Sequence, residues 1–307
     1  MENKTARASN VKAISLLILP IVLLLASIGG FVLNTLPSVL LAHFLLSIFF
    51  TQCFILLHEC GHLHFFKGQQ LNRILGHVFG LLSGIPFYTW MHMHNLHHKW
   101  TGWRDLDPTT EKTIKPSSLV MVRIIVNVAW FLFIPIFYLG YMFGNYWNLF
   151  KIKRFLKPAM YKTAIVQVLV YFMVYAIVVY FFNAQLLKFI LPGFLLSLIW
   201  KELIILTQHS HIEIPLANGN EVKPISYQEQ IAFTRSFSAM PLISKYLLFN
   251  FNLHEAHHVQ PGLPCYYLED IELNNAPKSY FHWFKNAKRL SGNDFIFNTS
   301  KHSGRKF

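Results

Sequence analysis

The fold of this chain is decided by residues 36–62, which read LPSVLLAHFLLSIFFTQCFILLHECGH. Residues 36–57 contain no aspartate, glutamate, lysine or arginine and are long enough to cross a membrane, which takes about 20 apolar residues in a helix. Two histidines four positions apart, His58 and His62, follow at once. The stretch therefore predicts a transmembrane helix that ends in side chains suited to binding a metal ion.

The composition of the whole chain indicates an integral membrane protein. Of the 307 residues, 53% are apolar and 13% are charged, against about 25% charged residues in soluble proteins. Four stretches are long and apolar enough to cross: residues 13–33, 36–57, 164–182 and 186–206. We therefore predict an all-α membrane protein with four transmembrane helices.

The formal net charge of +13 indicates which side of the membrane the loops face. Basic residues flank the predicted membrane segments at Lys4, Arg7, Lys12, Lys151, Lys153, Arg154 and Lys157. Because Lys and Arg concentrate in cytoplasmic loops, this charge predicts membrane orientation and no nucleic-acid partner. The three cysteines form no disulfide framework, which also fits a reduced compartment. We expect both termini in the cytoplasm, and a bacterial inner membrane as the location.

The order of crossings follows from these charges. Residues 119–143 start and end beside basic cytoplasmic segments, so we expect them to lie in the interface or to form a re-entrant hairpin near Pro135. The Gly-rich residues 74–87 should lie on the membrane or dip into it. Lys201 and Glu202 should mark the inner end of the fourth span. Interfacial or re-entrant helices and a cytoplasmic cap, residues 58–118 and 208–307, then complete one integrated domain over residues 1–307.

Eight of the sixteen histidines fall in three short windows, HECGH at 58–62, HNLHH at 94–98 and HEAHH at 254–258. Histidines three or four positions apart project from one face of a helix, so each window presents two or three imidazoles to one point. The eight are His58, His62, His94, His97, His98, His254, His257 and His258. They exceed the ligands of one zinc ion and predict two metal ions. We interpret His43, His77, His282 and His302 as ordinary structural histidines.

Several neighbours of the windows are candidates for supporting roles. Nitrogen ligands with open positions favour redox-active iron over magnesium or calcium, which prefer oxygen ligands. Glu59 and Glu255 are adjacent to ligands and so point away from the metal face, where each could accept a hydrogen bond from an imidazole. His209 or His211 could supply a ninth ligand, and His209 is preferred. Asn250 could hold a metal-bound water or act only as a polar surface or capping residue.

The three windows resemble the histidine boxes of the membrane fatty acid desaturase family. The likeness covers about residues 57–268 and includes PGLPCYY at 261–267 after the third box. The order H-x-x-x-H, H-x-x-H-H, H-x-x-H-H is highly specific. The resemblance implies a non-haem di-iron centre that uses dioxygen and two electrons to introduce a cis double bond into a fatty acyl chain. Asp105 and Asp107, beside the second box, would then be plausible orienters of ligand histidines.

The resemblance also implies partners. The substrate would be a fatty acyl group carried on a lipid, on coenzyme A or on acyl-carrier protein, among membrane lipids. The chain has no haem, flavin, nicotinamide or iron-sulfur motif, so a separate protein must supply electrons. Ferredoxin is the expected donor in a bacterium, and cytochrome b5 or rubredoxin would also be attracted to a basic face.

Other functions remain open at this stage. Hydroxylases, ketolases and an oxidative decarboxylase could use the same boxes. An intramembrane zinc protease could use His58 and His62 as ligands and Glu59 to activate water, but it would leave the other two boxes without a role. A metal transporter would want ligands inside the spans, where only His43 lies.

Overall fold

The computed structural model describes residues 8–273, 277–299, 301, 304 and 307, and within them nearly all regular structure is helical. A two-residue parallel pair, Phe237–Ser238 with Lys278–Ser279, is the only sheet in this part of the chain. The predicted all-α membrane fold is confirmed at that level. Lys4, Arg7 and His302, named above, lie outside the described residues.

The first two helices form a hairpin. Helix α1 spans Asn10–Leu33 and α2 spans Leu36–Gly61. Asn34 turns the chain with φ 51°, and Thr35 caps α2 by exchanging hydrogen bonds with Ser38. Helices are therefore present over both stretches, with the turn between them, and their crossing of the membrane stays a prediction. However, α2 continues past the apolar run, so the first histidine box occupies its last turn instead of beginning the cap.

Two bent helix pairs follow. Helices α3, Gln69–Ser83, and α4, Phe87–Trp100, meet at 98°. Helix α5, Val120–Phe131, meets the arm that begins with α6, Ile136–Met142, at 110°. The predicted break near Pro135 is present. Such a bend suits either a broken span or a re-entrant loop.

The third long apolar stretch is interrupted near its middle. After α7, Leu149–Phe155, helix α8 spans Pro158–Gln185 and α9 spans Leu191–His209, with a π-helical turn between them. Phe182 has a non-helical backbone, which marks a kink one turn before that junction. Helix α8 packs on α3 and α4, and α9 packs on α2.

Three helical stretches in the described residues could cross a membrane, or up to five if each bent pair is one span. The stretch 158–209 counts once in that total, whereas the sequence predicts that it crosses twice. Four crossings and a single domain therefore stay predictions. Lys201 and Glu202 do not mark an exposed boundary, because both are buried. Glu202 Oε2 instead accepts hydrogen bonds from the backbone of Phe137 and Tyr138 at the start of α6.

The C-terminal segment contains helices α10, His254–Val259, α11, Tyr280–Lys288, and α12, Gly292–Phe297, of which α11 and α12 pack against α5. The ring of Phe295 stacks on Trp130 at 4.8 Å. Gly292 lies against the same part of α5, where a β-carbon would come within 3.0 Å of the Val126 carbonyl and of Trp130. This contact holds the segment after the third box against the bent pair α5–α6.

Candidate metal centre

Four helix segments bring the histidine boxes together. The first box ends α2, the second lies on α4, the third forms α10, and His209 is the last residue of α9. Close packing of α2 and α4 needs Gly61, since a β-carbon there would come within 2.2 Å of the Trp90 ring. Trp90 in turn stacks on His94 at 4.3 Å. The glycine inside the first box therefore allows the second box to approach.

The nine histidines predicted as ligands form two groups, in each of which the candidate ligand atoms lie within 4.8 Å of one another. The five-histidine group contains His58, His62, His94, His98 and His257. The four-histidine group contains His97, His209, His254 and His258. Both the second and the third box contribute to both groups, so the two groups are neighbours in one centre.

Within each group the Nε2 atoms face one another. His94 Nε2 lies 3.1 Å from His62 Nε2 and 3.0 Å from His98 Nε2. A neutral imidazole has one N–H, so Nε2 atoms that meet in threes cannot all be paired by protons. Two nitrogens about 2.1 Å from one ion lie about 3.0 Å apart at a right angle and about 3.4 Å apart at the tetrahedral angle. The observed spacing lies in the range expected for two nitrogen atoms that would ligate the same ion.

The four-histidine group has the same spacing. His254 Nε2 lies 2.9 Å from His209 Nε2 and 3.0 Å from His258 Nε2. In the five-histidine group, His58 Nε2 is buried and has no hydrogen-bond partner among the described residues. The donor set, nitrogen atoms with convergent lone pairs, fits two transition-metal ions of the kind that the sequence predicts.

The protonation state of these rings also suits metal binding. Burial, followed by the charges of neighbouring histidines, lowers the pKa of His257 and of His258 well below the usual value. Both rings are therefore neutral near pH 7. The neutral imidazole is the form that ligates a metal.

Two of the predicted supporting carboxylates contact ligand histidines. Asp107 Oδ2 lies 2.7 Å from His97 Nδ1, and its other oxygen accepts hydrogen bonds from Thr109 N and Oγ1, both at 2.8 Å. Burial opposes ionisation of Asp107, but His97 and the Thr109 hydrogen bonds outweigh it and lower the pKa of the carboxyl. Glu59 Oε1 lies 3.0 Å from His58 Nδ1, and Glu59 Oε2 accepts a hydrogen bond from Cys265 N. Both carboxylates hold the ring edge that faces away from Nε2.

Three other predicted supporting residues have different partners. Asp105 accepts hydrogen bonds from Ala217 N and Asn218 N, so its carboxylate stabilises a loop and does not orient a histidine. The Asn250 amide donates to the Cys265 carbonyl and accepts from Ser244, so these contacts fix the loop before the third box. Glu255 accepts a hydrogen bond from Ser236 N. The prediction that Asp105 orients a histidine was therefore wrong, because the loop at Ala217 and Asn218 packs beside Asp105 and supplies its hydrogen-bond donors.

Gln230 also contacts two of the nine histidines, although no pattern in the sequence indicates it. Its side-chain oxygen lies 2.8 Å from His258 Nδ1, and its amide nitrogen donates to the His98 carbonyl at 2.7 Å. One buried residue therefore braces a histidine of each group. His209 is held similarly, with Nδ1 3.1 Å from the Phe233 carbonyl. Gln230 and Phe233 belong to a stretch with no recognisable motif, so no sequence signal pointed to them.

Several other histidines of the described residues lie outside the two groups. His211, the alternative ninth ligand, stacks on Phe295 and Phe307 and belongs to neither group. His77 packs against Phe87, with Nδ1 3.0 Å from the Gln167 amide. His43 and His282 are also outside both groups.

A cavity of about 400 Å³ borders the two groups. Its wall includes five of the nine histidines, His58 and His94 from the five-histidine group and His97, His209 and His254 from the other. Apolar and aromatic side chains, such as Phe54, Trp90, Tyr138, Ile205 and Phe251, form much of the rest. A volume of this size is typical of a site for a small apolar ligand.

The family model described as fatty acid desaturase matches residues 34–286, which include all three boxes. The chain belongs to the fatty acid desaturase family. Its relatives include a fatty acid desaturase of Bacillus subtilis, 28% identical over 75% of this chain and 66% of the relative. An sn-1 oleoyl-lipid 12-desaturase of Picosynechococcus is 26% identical over 71% of this chain and 63% of the relative.

Two further relatives are named for omega-3 desaturation. One is an endoplasmic reticulum omega-3 fatty acid desaturase of Vigna radiata, 25% identical over 79% of this chain and 65% of the relative. The other is an sn-1 acyl-lipid omega-3 desaturase (ferredoxin) of a Nostoc species, 36% identical over 23% of this chain and 21% of the relative. The three longer matches thus span just under two thirds of each relative's length.

Membership of the fatty acid desaturase family disfavours the zinc-protease alternative, and so does the position of Glu59. In a protease the glutamate of H-E-x-x-H must reach a water on the metal. Here both Glu59 oxygens are engaged, with His58 Nδ1 and with Cys265 N, on the side of the ring opposite Nε2. The carboxylate can orient His58, and it does not face the convergent nitrogens.

Proposed function

We propose that this protein is an oxygen-dependent desaturase that introduces a double bond into the acyl chain of a membrane lipid. The observation that carries the proposal is the cavity, whose apolar wall is interrupted by histidines of both groups. An acyl chain lying there would present its methylene carbons to the nitrogens of both groups. The relatives named as acyl-lipid desaturases support a lipid-borne substrate.

We propose that the two histidine groups hold two iron ions and that all nine histidines are ligands. When bound, the two ions would supply the activation of dioxygen needed to remove two hydrogens from an unactivated acyl chain. The protein's own contribution is to fix the orientation of four of these rings. Glu59, Asp107, Gln230 and the Phe233 carbonyl each hold an Nδ1 atom, which leaves Nε2 directed into the centre.

The cavity wall would position the substrate and exclude water. Phe54, Tyr138 and Phe251 are buried and pack edge to face, which gives one stretch of the wall a fixed shape. Glu202 fixes the start of α6, which carries Tyr138, through two backbone hydrogen bonds. A rigid apolar channel can present one position of an otherwise uniform chain to the metal ions.

We further propose that a separate carrier delivers the electrons, with the boxes on the cytoplasmic side of a bacterial inner membrane. Ferredoxin is our first candidate, because a relative is named as a ferredoxin-dependent desaturase. The chain has 27 basic and 14 acidic residues, and this net positive charge would attract an acidic carrier. Comparing turnover with reduced ferredoxin, rubredoxin and cytochrome b5 would separate the three donors.

The direct test combines metal analysis with lipid analysis. Expression in a host of known lipid composition, followed by mass spectrometry, should show acyl chains lighter by two hydrogens, and purified protein should contain two iron ions per chain. Added oxygen would indicate a hydroxylase or ketolase, and a lost carbon a decarboxylase.

Alanine at His209 should lower the iron content and abolish turnover, whereas alanine at the buried His211, two residues away, should change neither property. Protein that binds no iron, or that keeps full turnover as His209→Ala, would contradict the proposal.

A further inference from the structure

Lys151 is a buried cation at a position where the sequence predicts a membrane-flanking charge. It lies on α7, and its residue is 4% exposed, whereas Lys153 and Arg154 on the same helix are exposed. Its Nζ donates to the Pro108 carbonyl at 2.6 Å, to Asn145 Oδ1 at 2.8 Å and to Glu111 Oε1 at 2.9 Å. The three acceptors match the three protons of an ammonium group. Such complete pairing indicates a specific internal role.

Two of the three acceptors lie in the short loop that carries Asp107. Pro108 directly follows Asp107, and Glu111 N donates to the Asp107 carbonyl at 3.1 Å. In the same loop, Thr109 Oγ1 lies 3.1 Å from His97 Nδ1. Lys151 therefore ties both ends of this turn to α7, and the turn carries Asp107 and Thr109, whose side chains contact His97 Nδ1.

The third acceptor connects this turn to the cavity. Asn145 is itself buried and lines the cavity. Of the two basic partners of Glu111, only Lys151 is buried, since the Arg154 side chain is 66% exposed and its contact is longer, at 3.2 Å. Exposed ion pairs contribute little, so loss of Lys151 would leave the turn without its main internal contact.

We propose that Lys151 is a positioning residue of the four-histidine group. It holds the 107–111 turn so that Asp107 fixes the orientation of His97. This inference rests on the proposed metal-binding function. His97 belongs only to the four-histidine group, so Lys151 should affect one of the two ions and not the other.

The test is an anaerobic titration of metal-free protein with Fe²⁺. Wild-type protein should bind two ions. In Lys151→Met, which removes the ammonium group and keeps the length of the side chain, the affinity for one ion should fall about tenfold, the lower end of the range for residues behind a ligand. The affinity for the other ion should not change. The matched control is Lys153→Met, which removes an exposed lysine of the same helix and should bind both ions as wild type does.

Two further variants separate positioning from general destabilisation. Glu111→Gln removes the carboxylate that contacts Lys151 and should lower the affinity for the same single ion. This variant provides the test if Lys151→Met does not fold. Adding Lys151→Met to Asp107→Asn should cause no further weakening, because both act on His97.

Wild-type affinity for both ions in Lys151→Met or in Glu111→Gln, or equal weakening of both ions, would overturn the inference while the proposed function stands. A wild-type protein that binds no Fe²⁺ would overturn both.

Discussion

Replacement of Asp107 by asparagine should lower the affinity for one metal ion, because it changes which nitrogen of His97 carries the ring proton. The carboxylate is 3% exposed and accepts from His97 Nδ1 on one oxygen and from Thr109 on the other. An asparagine has one acceptor oxygen. If that oxygen faces Thr109, the NH2 group donates to His97 Nδ1, and the ring proton moves to Nε2, which can then no longer ligate.

The opposite orientation of the asparagine also carries a cost. With its oxygen toward His97, the NH2 group would face the Thr109 N–H, and a buried donor would lose its acceptor at a cost of about 1–3 kcal/mol. Changes behind a metal ligand typically lower metal affinity about 10–100-fold, which corresponds to about 1.4–2.7 kcal/mol. We expect a loss in this range for the ion of the four-histidine group and none for the other.

The assay is an Fe²⁺ titration of metal-free protein in lipid nanodiscs. Asp105→Asn is the matched control, because the sequence favours the two aspartates equally whereas the Asp105 carboxylate holds the backbone of Ala217 and Asn218. Asp105→Asn should bind two ions with wild-type affinity. Equal losses in both variants, or two unaltered ions in Asp107→Asn, would refute the reasoning.

Three further predictions concern the centre, the cavity and stability. Gln230→Ala releases the ring of His258 but only a backbone contact of His98, so the larger loss of affinity, about tenfold in the same titration, should be for the ion of the four-histidine group; an unaltered affinity would contradict the bracing role. Gly140 lines the cavity, and a β-carbon there would meet no atom within 4 Å, so a leucine side chain can be accommodated and would occupy part of the cavity. Gly140→Leu should therefore shift the products toward shorter acyl chains at constant iron content. An unaltered product profile would show that this part of the wall does not contact the acyl chain. The Lys288 ammonium lies 3.8 Å from the ring centre of Trp130, so Lys288→Met should lower the free energy of unfolding by about 0.5–2 kcal/mol, measured as a lower thermal midpoint, whereas an unaltered midpoint would show that this contact contributes nothing.

Sequence patterns identified the box histidines because their signal is local, but they did not predict how the second and third boxes divide between the two groups. Spacing of three and four residues on a helix fixes which rings share a face, and this rule gave the eight box histidines. The preference for His209 over His211 also agrees with the structure. His209 ends α9, whereas His211 has a left-handed backbone, φ 56°, that turns it away toward Phe295.

Contacts between distant segments could not be read in the same way. Asp105 and Asp107 are two residues apart in the sequence. Asp105 nevertheless accepts a hydrogen bond from the backbone of Ala217, more than 100 residues later, whereas Asp107 contacts His97. Hydropathy likewise ended the second apolar span at Leu57, because the residues of the first box are polar. The helix continues to Gly61, since the packed centre buries those polar residues.

The composition of the five-histidine group has a consequence for biosynthesis. Four members lie within residues 58–98, whereas the fifth, His257, follows about 160 positions after the last of these. At about 5–20 residues per second, a ribosome needs roughly 8–32 s to add that stretch. During this interval the nascent chain already exposes four imidazoles, and copper and zinc bind such nitrogen sites more tightly than ferrous iron does. Loading of the proposed iron ions would therefore depend on how scarce copper and zinc are where the chain emerges.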